Sequence, residues 1–508
     1  MMRKVPIIQC ITTKSDPIQH SHLYFDHVVN IDDDEEDDEQ DMMDCPPDEA
    51  AVPDLPTATY VVFSDTFDQS LAIPRIQSLF PRTLTHLFFG ELFNQRILKG
   101  DIPNTVSHLE FGDCFNQPIA LNTIPSSVRQ IQFKNNFNQQ LQVGAIPNTV
   151  THLLLGHRSH YSSYNQPIIP GSIPNSVTCL EFGLEFNQPL PPHVLPASIT
   201  RLKFGDMFNQ PLLPGSIPAS VTHLSFSGEF NQPLVAGLLP KSLRRLRLGE
   251  MFSQPLPSGV LPTGLTRLAL GNMVPFNELE VPSSVEHIVM DCANLFDMSP
   301  LSGVRYLRMS QLSSDAANHR LPPNLKHLVL TEALSITSPI PDSVTNLELG
   351  FLFDGALTPG SLPASLETLS LGANYNQPIP VGALPSGLRT IIFGQRFNQP
   401  IEAGSIPASV TSIEFGDNFS QTLDTNWLAS CTSLKRVKLG RKYNQSIQFN
   451  QLPTTLTHIT SVKNERQHNQ STYIRHGNDS FIVLNEQLLG GGFIDSSKLN
   501  QLFTTSLE

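Results

Sequence analysis

A proline recurs about every 22 residues through most of this 508-residue chain. The series runs Pro81, Pro103, Pro125 and Pro147, then Pro174, Pro196, Pro218, Pro240, Pro262 and Pro282, and resumes at Pro322, Pro341, Pro363, Pro385, Pro407 and Pro453. The longer steps have visible causes. An inserted HRSHYSS segment stretches the step from Pro147 to Pro174, and the steps from Pro282 to Pro322 and from Pro407 to Pro453 each enclose a proline-less unit, SGVRYLRMS and TSLKRVKLG. A long helix kinks or breaks at an internal proline, so a chain with 42 prolines spaced in this way is not helix-rich. Its prolines belong to recurring turns.

One unit reads IPASVTHLSFSGEFNQPLVAG from Ile217. Its V-x-x-L-x-F core alternates apolar and polar residues, the pattern of a strand with one face buried. A unit this short cannot enclose a core of its own, but it suffices for one coil of a solenoid whose strands stack in parallel over a shared interior. The expected fold is a β-rich solenoid of about 18 coils, an arc of roughly 85 Å at ~4.8 Å per strand step. Proline before the strand and glycine after it mark the corners, where a fixed φ and a permitted positive φ are useful. Residues 55–460 make up the solenoid, 1–54 an acidic N-terminal segment and 461–508 a capping region.

The signature FNQPI at Phe115 to Ile119, together with Ile217-Pro218, resembles the FNIP-repeat family, a branch of the leucine-rich-repeat proteins. The likeness extends from Leu55 to Thr460. It implies a leucine-rich-repeat-like horseshoe with a parallel β-sheet on its concave face, working as a protein-interaction scaffold. Family members are sometimes fused to kinase or F-box domains. The chain shows no Gly-rich phosphate loop and no HRD or DFG motif, and residues 1–50 are too short and too acidic for an F-box.

Charge divides the chain. Net charge is −14, and the stretch from Met1 to Leu55 holds 15 Asp/Glu against 3 Lys/Arg, a balance of −12 that leaves the rest of the chain at −2. The run Asp32 to Asp48 is expected to be disordered by composition and self-repulsion. Cys10, Cys45, Cys114, Cys179, Cys292 and Cys431 show no CxxC spacing and no close pair, which fits reduced thiols in a cytoplasmic protein better than a disulfide frame or zinc site. No signal-peptide core and no 18-residue apolar run occurs, so neither secretion nor a membrane span is expected. At the other end, SVKNERQHNQSTYIRHGNDS is expected to fray. FIVLNEQLL and DSSKLNQLF follow as a strand and a short helix capped by Asp495 or Ser496, closing the core.

Positions that repeat are read as structure. Phe93, Phe115, Phe137, Tyr164, Phe186, Phe208 and their successors share one position and are expected to stack as a buried spine. The following Asn, from Asn94 to Asn444, is expected to satisfy turn backbone of a neighbouring coil. Function is sought where the unit varies, on the outward positions of the strand. Seven of 16 His fall just before the central Leu, but only His86 and His108 occupy adjacent coils and no carboxylate column joins them, so no metal or other cofactor is expected.

Arginine gives the sharper pattern. Arg201, Lys203, Arg245, Arg247, Arg267 and Arg308 flank the central Leu of the middle coils, with Arg244 and Arg305 at the strand opening. Glu110 and Glu181 precede them and Glu348 and Glu414 follow, so a basic centre lies between acidic shoulders. Clustered guanidinium groups suit carboxylate or phosphate, and His223 could add charge at mildly acidic pH. The chain carries no HExxH, Walker, G-x-S-x-G or CxxC motif. The sequence therefore points to a non-catalytic scaffold that binds a macromolecule, an acidic protein foremost, through the concave face. The alternative is an anionic ligand, nucleic acid or phospholipid, held by the arginine patch.

Overall fold

In the computed structural model the proline-marked step is a turn: Pro103 O accepts from Val106 N at 3.1 Å, and the same bond recurs from Pro125 to Val128 and from Pro218 to Val221. Proline suits that corner because no ladder bond asks for its missing N–H. The structure describes residues 8–9, 59–77, 80–156, 162–271, 273–275, 278–290, 297–312, 320–336, 339–445, 447, 452–462, 470–475, 480–485 and 492–495.

Each turn leads into a strand of three to five residues, and the strands stack in parallel. The molecule divides into two compact units, Met1–Val285 and Glu286–Glu508. In the first, ten strands from Tyr60–Phe63 to Arg267–Leu270 pair in chain order, with central leucines such as Leu202, Leu224, Leu246 and Leu268 in register. The backbone of Ile8–Gln9 runs antiparallel to Val62 and Phe63 on the first of them. The acidic run 32–48 lies outside the described residues. In the second unit nine parallel strands run from His287–Met290 to His458–Val462. Only two short helices occur among the described residues, Pro74–Gln77 and Thr425–Leu428, the latter opened by Asp424, whose side chain accepts from Asn426 N.

Inside many of the coils two aromatic columns lie side by side. Phe89, Phe111 and Phe133 stack at 5.0–5.4 Å just behind the sheet, while Phe93, Phe115 and Phe137 stack at 6.0–6.1 Å farther from it. Since strands in a sheet lie ~4.8 Å apart, the widening means that successive coils fan outward from the strands. The sheet is the inner, concave side of the curve. Unit two repeats the pattern, with 5.2 Å between Phe393 and Phe415 and 6.1 Å between Phe397 and Phe419.

The asparagines act as expected. Asn116 Oδ1 accepts from Asn138 N at 2.9 Å and from Gln139 Nε2 at 3.0 Å, and the arrangement repeats through Asn138, Asn165, Asn187, Asn209 and Asn231. Each ladder starts on an aspartate, Asp68 in the first unit and Asp354 in the second. A carboxylate only accepts, which is all that the first rung requires.

Two expectations need correction. The glycine directly after the strand is there chiefly for close approach: a Cβ on Gly112 would lie 1.8 Å from Gly90 O, and among these glycines Gly156, before the inserted segment, also has a positive φ. Positive φ belongs to the later turn, at Gly144 and Gly237, for example, and there Asn122 and His193 adopt it without being glycine. The stretch after residue 460 is not simply frayed, because Gln470–Arg475 pairs antiparallel with His458–Val462, followed by Ser480–Asn485 and Gly492–Asp495. Antiparallel strands there cover an edge that parallel stacking would leave open. Asp495 ends the strand Gly492–Asp495, and residues 496–508, where the capped helix is expected, lie outside the described residues.

Candidate interaction face

Alternation along each strand puts the central Leu inside and its two neighbours outside. Parallel register then turns these neighbours into two rows across the sheet. In the first unit one row reads Arg201, His223, Arg245, Arg267 on four consecutive strands, and the other Lys203, Ser225, Arg247, Ala269. Arg201 is exposed, whereas Arg245, Arg247 and Arg267 are half-buried against their neighbours. Five of the eight basic residues singled out in the sequence therefore share one patch.

The other three do not. Arg244 turns to the rim, where Nη1 donates to Gly264 O at 3.2 Å and to Leu243 O at 3.3 Å. Arg305 does the same in the second unit, donating to Ser302 O at 3.0 Å. Arg308 also belongs to the second unit, between Val289 and Val329 in the ladder.

The acidic shoulders are not free carboxylates. Glu110 pairs with Lys134 at 2.8 Å, Glu181 with Lys203 at 2.7 Å, Glu348 with His327 at 2.8 Å and Glu414 with Lys438. Lys203, a member of the basic rows, thus has a carboxylate of the shoulders against it. His223 also departs from expectation. Burial, with Arg245 and Arg201 beside it, lowers its pKa to about 4. It stays neutral at mildly acidic pH and adds no charge to the patch.

Toward the start of the same sheet the adjacent pair His86 and His108, noted in the sequence, belongs to a stack that the sequence reading did not foresee. Tyr60, His86 and His108 stack face to face at 4.3 and 4.0 Å, with Phe88 alongside. A fixed position in the unit is the signal that could have found it, since parallel register makes neighbours of equal positions. Thr85 Oγ1 lies 2.8 Å from His86 Nδ1 and donates to Thr59 O at 3.2 Å, and Ser107 treats His108 alike. One hydroxyl hydrogen cannot serve both, so with it on the carbonyl the ring proton sits on Nδ1. At 12° between planes and 4.0 Å between centroids, the two Nε2 lone pairs lie in nearly parallel planes and do not converge on one point. Burial lowers the pKa of His86 to about 4, with His108 adding to the effect.

Among the described residues no group of three or more His, Cys, Asp or Glu is placed to hold a metal ion, and no helix is long and apolar enough to cross a membrane. Cys179 and Cys431 are buried, which pushes their thiols up to about 12 and about 11, far from the range of a reactive thiolate.

Comparison with known proteins agrees with this architecture. The FNIP Repeat family model matches twelve overlapping segments that together cover residues 68–157, 161–273 and 334–460. The coils between residues 274 and 333 are not matched, although their strands stack in the same way. A crystal structure of CroV588, described as a novel circular LRR protein, is similar with a TM-score of 0.60 and 35% identity, over 79% of this chain and 62% of that one. This chain therefore spans less than two thirds of that protein's length. YopM from Yersinia enterocolitica is similar over 75% of this chain and 83% of that one, at 17% identity and a TM-score of 0.36. Among curated proteins there is no match.

Proposed function

The chain belongs to the FNIP-repeat family, and on that premise we propose that it is a non-catalytic, cytoplasmic scaffold that binds a protein partner with an acidic segment through the concave sheet of its first unit. One observation carries the reading: parallel register gathers Arg201, Arg245, Arg247 and Arg267 with Lys203 on three of four consecutive strands. Guanidinium groups at strand spacing offer planar paired donors to successive carboxylates of an extended chain. A repeat solenoid is suited to such work because its interior sets the shape while its outward positions are free to vary.

The test is capture from a lysate by full-length bait and by bait with Arg201, Arg245, Arg247 and Arg267 changed to Glu. A protein partner held by the first and lost from the second supports the reading. Retention of the same set by both overturns it. Capture of nucleic acid or anionic vesicles in place of protein, with a steep loss of affinity in salt, would favour the anionic-ligand alternative.

A further inference from the structure

The first unit carries its basic rows on the sheet and a strongly acidic run in the chain that precedes it. Between Asp32 and Asp48 there are 11 Asp/Glu and no Lys or Arg. Most of the chain's negative charge is concentrated there, since everything after Leu55 sums to only −2.

Backbone pairing ties both ends of that segment to one place. Ile8–Gln9 lies along Val62 and Phe63, and the chain re-enters the sheet at Tyr60, so the stretch from residue 10 to residue 59 is tied at both ends to the first coil. The strand of Arg201 is six steps along the sheet from Tyr60–Phe63 and that of Arg267 nine steps. At ~4.8 Å per step these are ~29 and ~43 Å. Asp38, in the middle of the run, has one arm of chain leading on to Tyr60 and another leading back to Gln9. Extended at ~3.3 Å per residue, these arms span up to ~70 and ~95 Å, so the run reaches the rows with slack on both sides.

The rows are also where positive charge is most concentrated on this sheet. Lys134, earlier along the sheet, is held by Glu110, and Arg129 and Arg244 at the strand openings donate to turn carbonyls. Arg201 and Arg245 act together on His223, the neutral residue between them in the row.

We propose that the run Asp32 to Asp48 docks on the patch of Arg201, Lys203, Arg245, Arg247 and Arg267 and occupies in cis the face that an acidic partner would use. This rests on the reading of that face given above and adds its regulation: a partner binds by displacing the run. Tethering gives the run an effective concentration on the order of millimolar, so even a weak contact keeps the face covered until a tighter acidic segment arrives.

The probe is a fluorescent synthetic peptide of residues 30–50, titrated into two full-length proteins: the wild type, and one in which every Asp and Glu from Asp32 to Asp48 is changed to Asn or Gln. The neutralised protein is expected to bind the peptide at least ~10-fold more tightly than the wild type, because its face is uncovered. Adding Arg201→Glu and Arg245→Glu to the neutralised protein is expected to abolish that gain, and raising salt from about 50 to about 500 mM to weaken it. Arg201→Gln with Arg245→Gln replaces the Glu pair if the latter shifts the unfolding midpoint. Equal peptide binding by wild type and neutralised protein, including none by either, overturns the proposal, as does a gain that survives both arginine pairs. Failure here stays distinct from failure of the scaffold reading. Partner capture that depends on the arginines, with no effect of neutralising the run, sinks the cis contact alone; the reverse pattern sinks the scaffold reading alone.

Discussion

Along the strands of the first unit, Leu202, Leu224, Leu246 and Leu268 face inward and are interchangeable, while Arg201, His223, Arg245 and Arg267 start the same strands, face outward and are not. The inward set continues into aromatic columns and an asparagine ladder in which each side chain meets its own counterpart one coil away. Like residues are favoured there, because a stack with one ill-fitting member loses contacts on two sides. The outward set meets counterparts only in part, through ion pairs such as Glu181 with Lys203. Stability is thus lodged in the repeated positions, and the freedom to recognise something else is left to the varied ones.

Several substitutions can break or sharpen this division. The largest effect is expected inside: Phe208→Ala removes a fully buried ring stacked between Phe186 and Phe230 and should cost ~3 to 5 kcal/mol, read as a fall in the urea midpoint. Next comes the ladder. Asn209→Ala strips the acceptor from Asn231 N and Gln232 Nε2 and should cost ~1 to 3 kcal/mol by the same assay.

Acid should expose the half-buried histidines of the face. Burial holds His86 and His223 to about 4, with His108 beside the first and Arg245 and Arg201 beside the second. An unfolded chain takes up those protons near 6.5, so their contribution is complete above about 6.5 and is lost as pH falls toward about 4. His86→Gln with His223→Gln should therefore lose less in melting temperature between pH 7 and 4.5 than the wild type does. A smaller change of opposite sign is expected at Tyr375, whose buried hydroxyl has no hydrogen-bond partner among the described residues. Tyr375→Phe should raise stability by up to ~1 kcal/mol in thermal unfolding. Smallest of all, Arg245→Glu should move the urea midpoint by the equivalent of less than ~0.5 kcal/mol.

What the sequence made legible follows the same line. The period, the Phe208 column and the Asn209 ladder are readable because they are the same residue at the same spacing. Harder to read is what depends on the reach of a long side chain. Arg244 and Arg305 sit at the strand opening in sequence, yet their guanidinium groups turn to turn carbonyls at the rim. Glu110 and Glu414 look like shoulders of charge until Lys134 and Lys438 on the next coil cover them. The pairing of Gln470–Arg475 was hidden for another reason: a largely polar strand has no apolar alternation to announce it, and its partners on either side, not its own pattern, make it a strand. The coils between residues 287 and 330 show the limit of the motif itself. They keep the strand but fill the interior with Met290, Met309 and Leu330 instead of rings, so a core of the right size suffices where the signature is absent.

The division between interior and face is tested most directly by one protein, full length with Arg201, Arg245, Arg247 and Arg267 all changed to Glu, used as bait after its urea midpoint has been recorded. An unchanged midpoint together with loss of a protein partner that the wild type retains is the predicted result. An unchanged midpoint with the same partners retained would contradict the account, because the basic rows would then be neither part of the fold's support nor the surface that does its work.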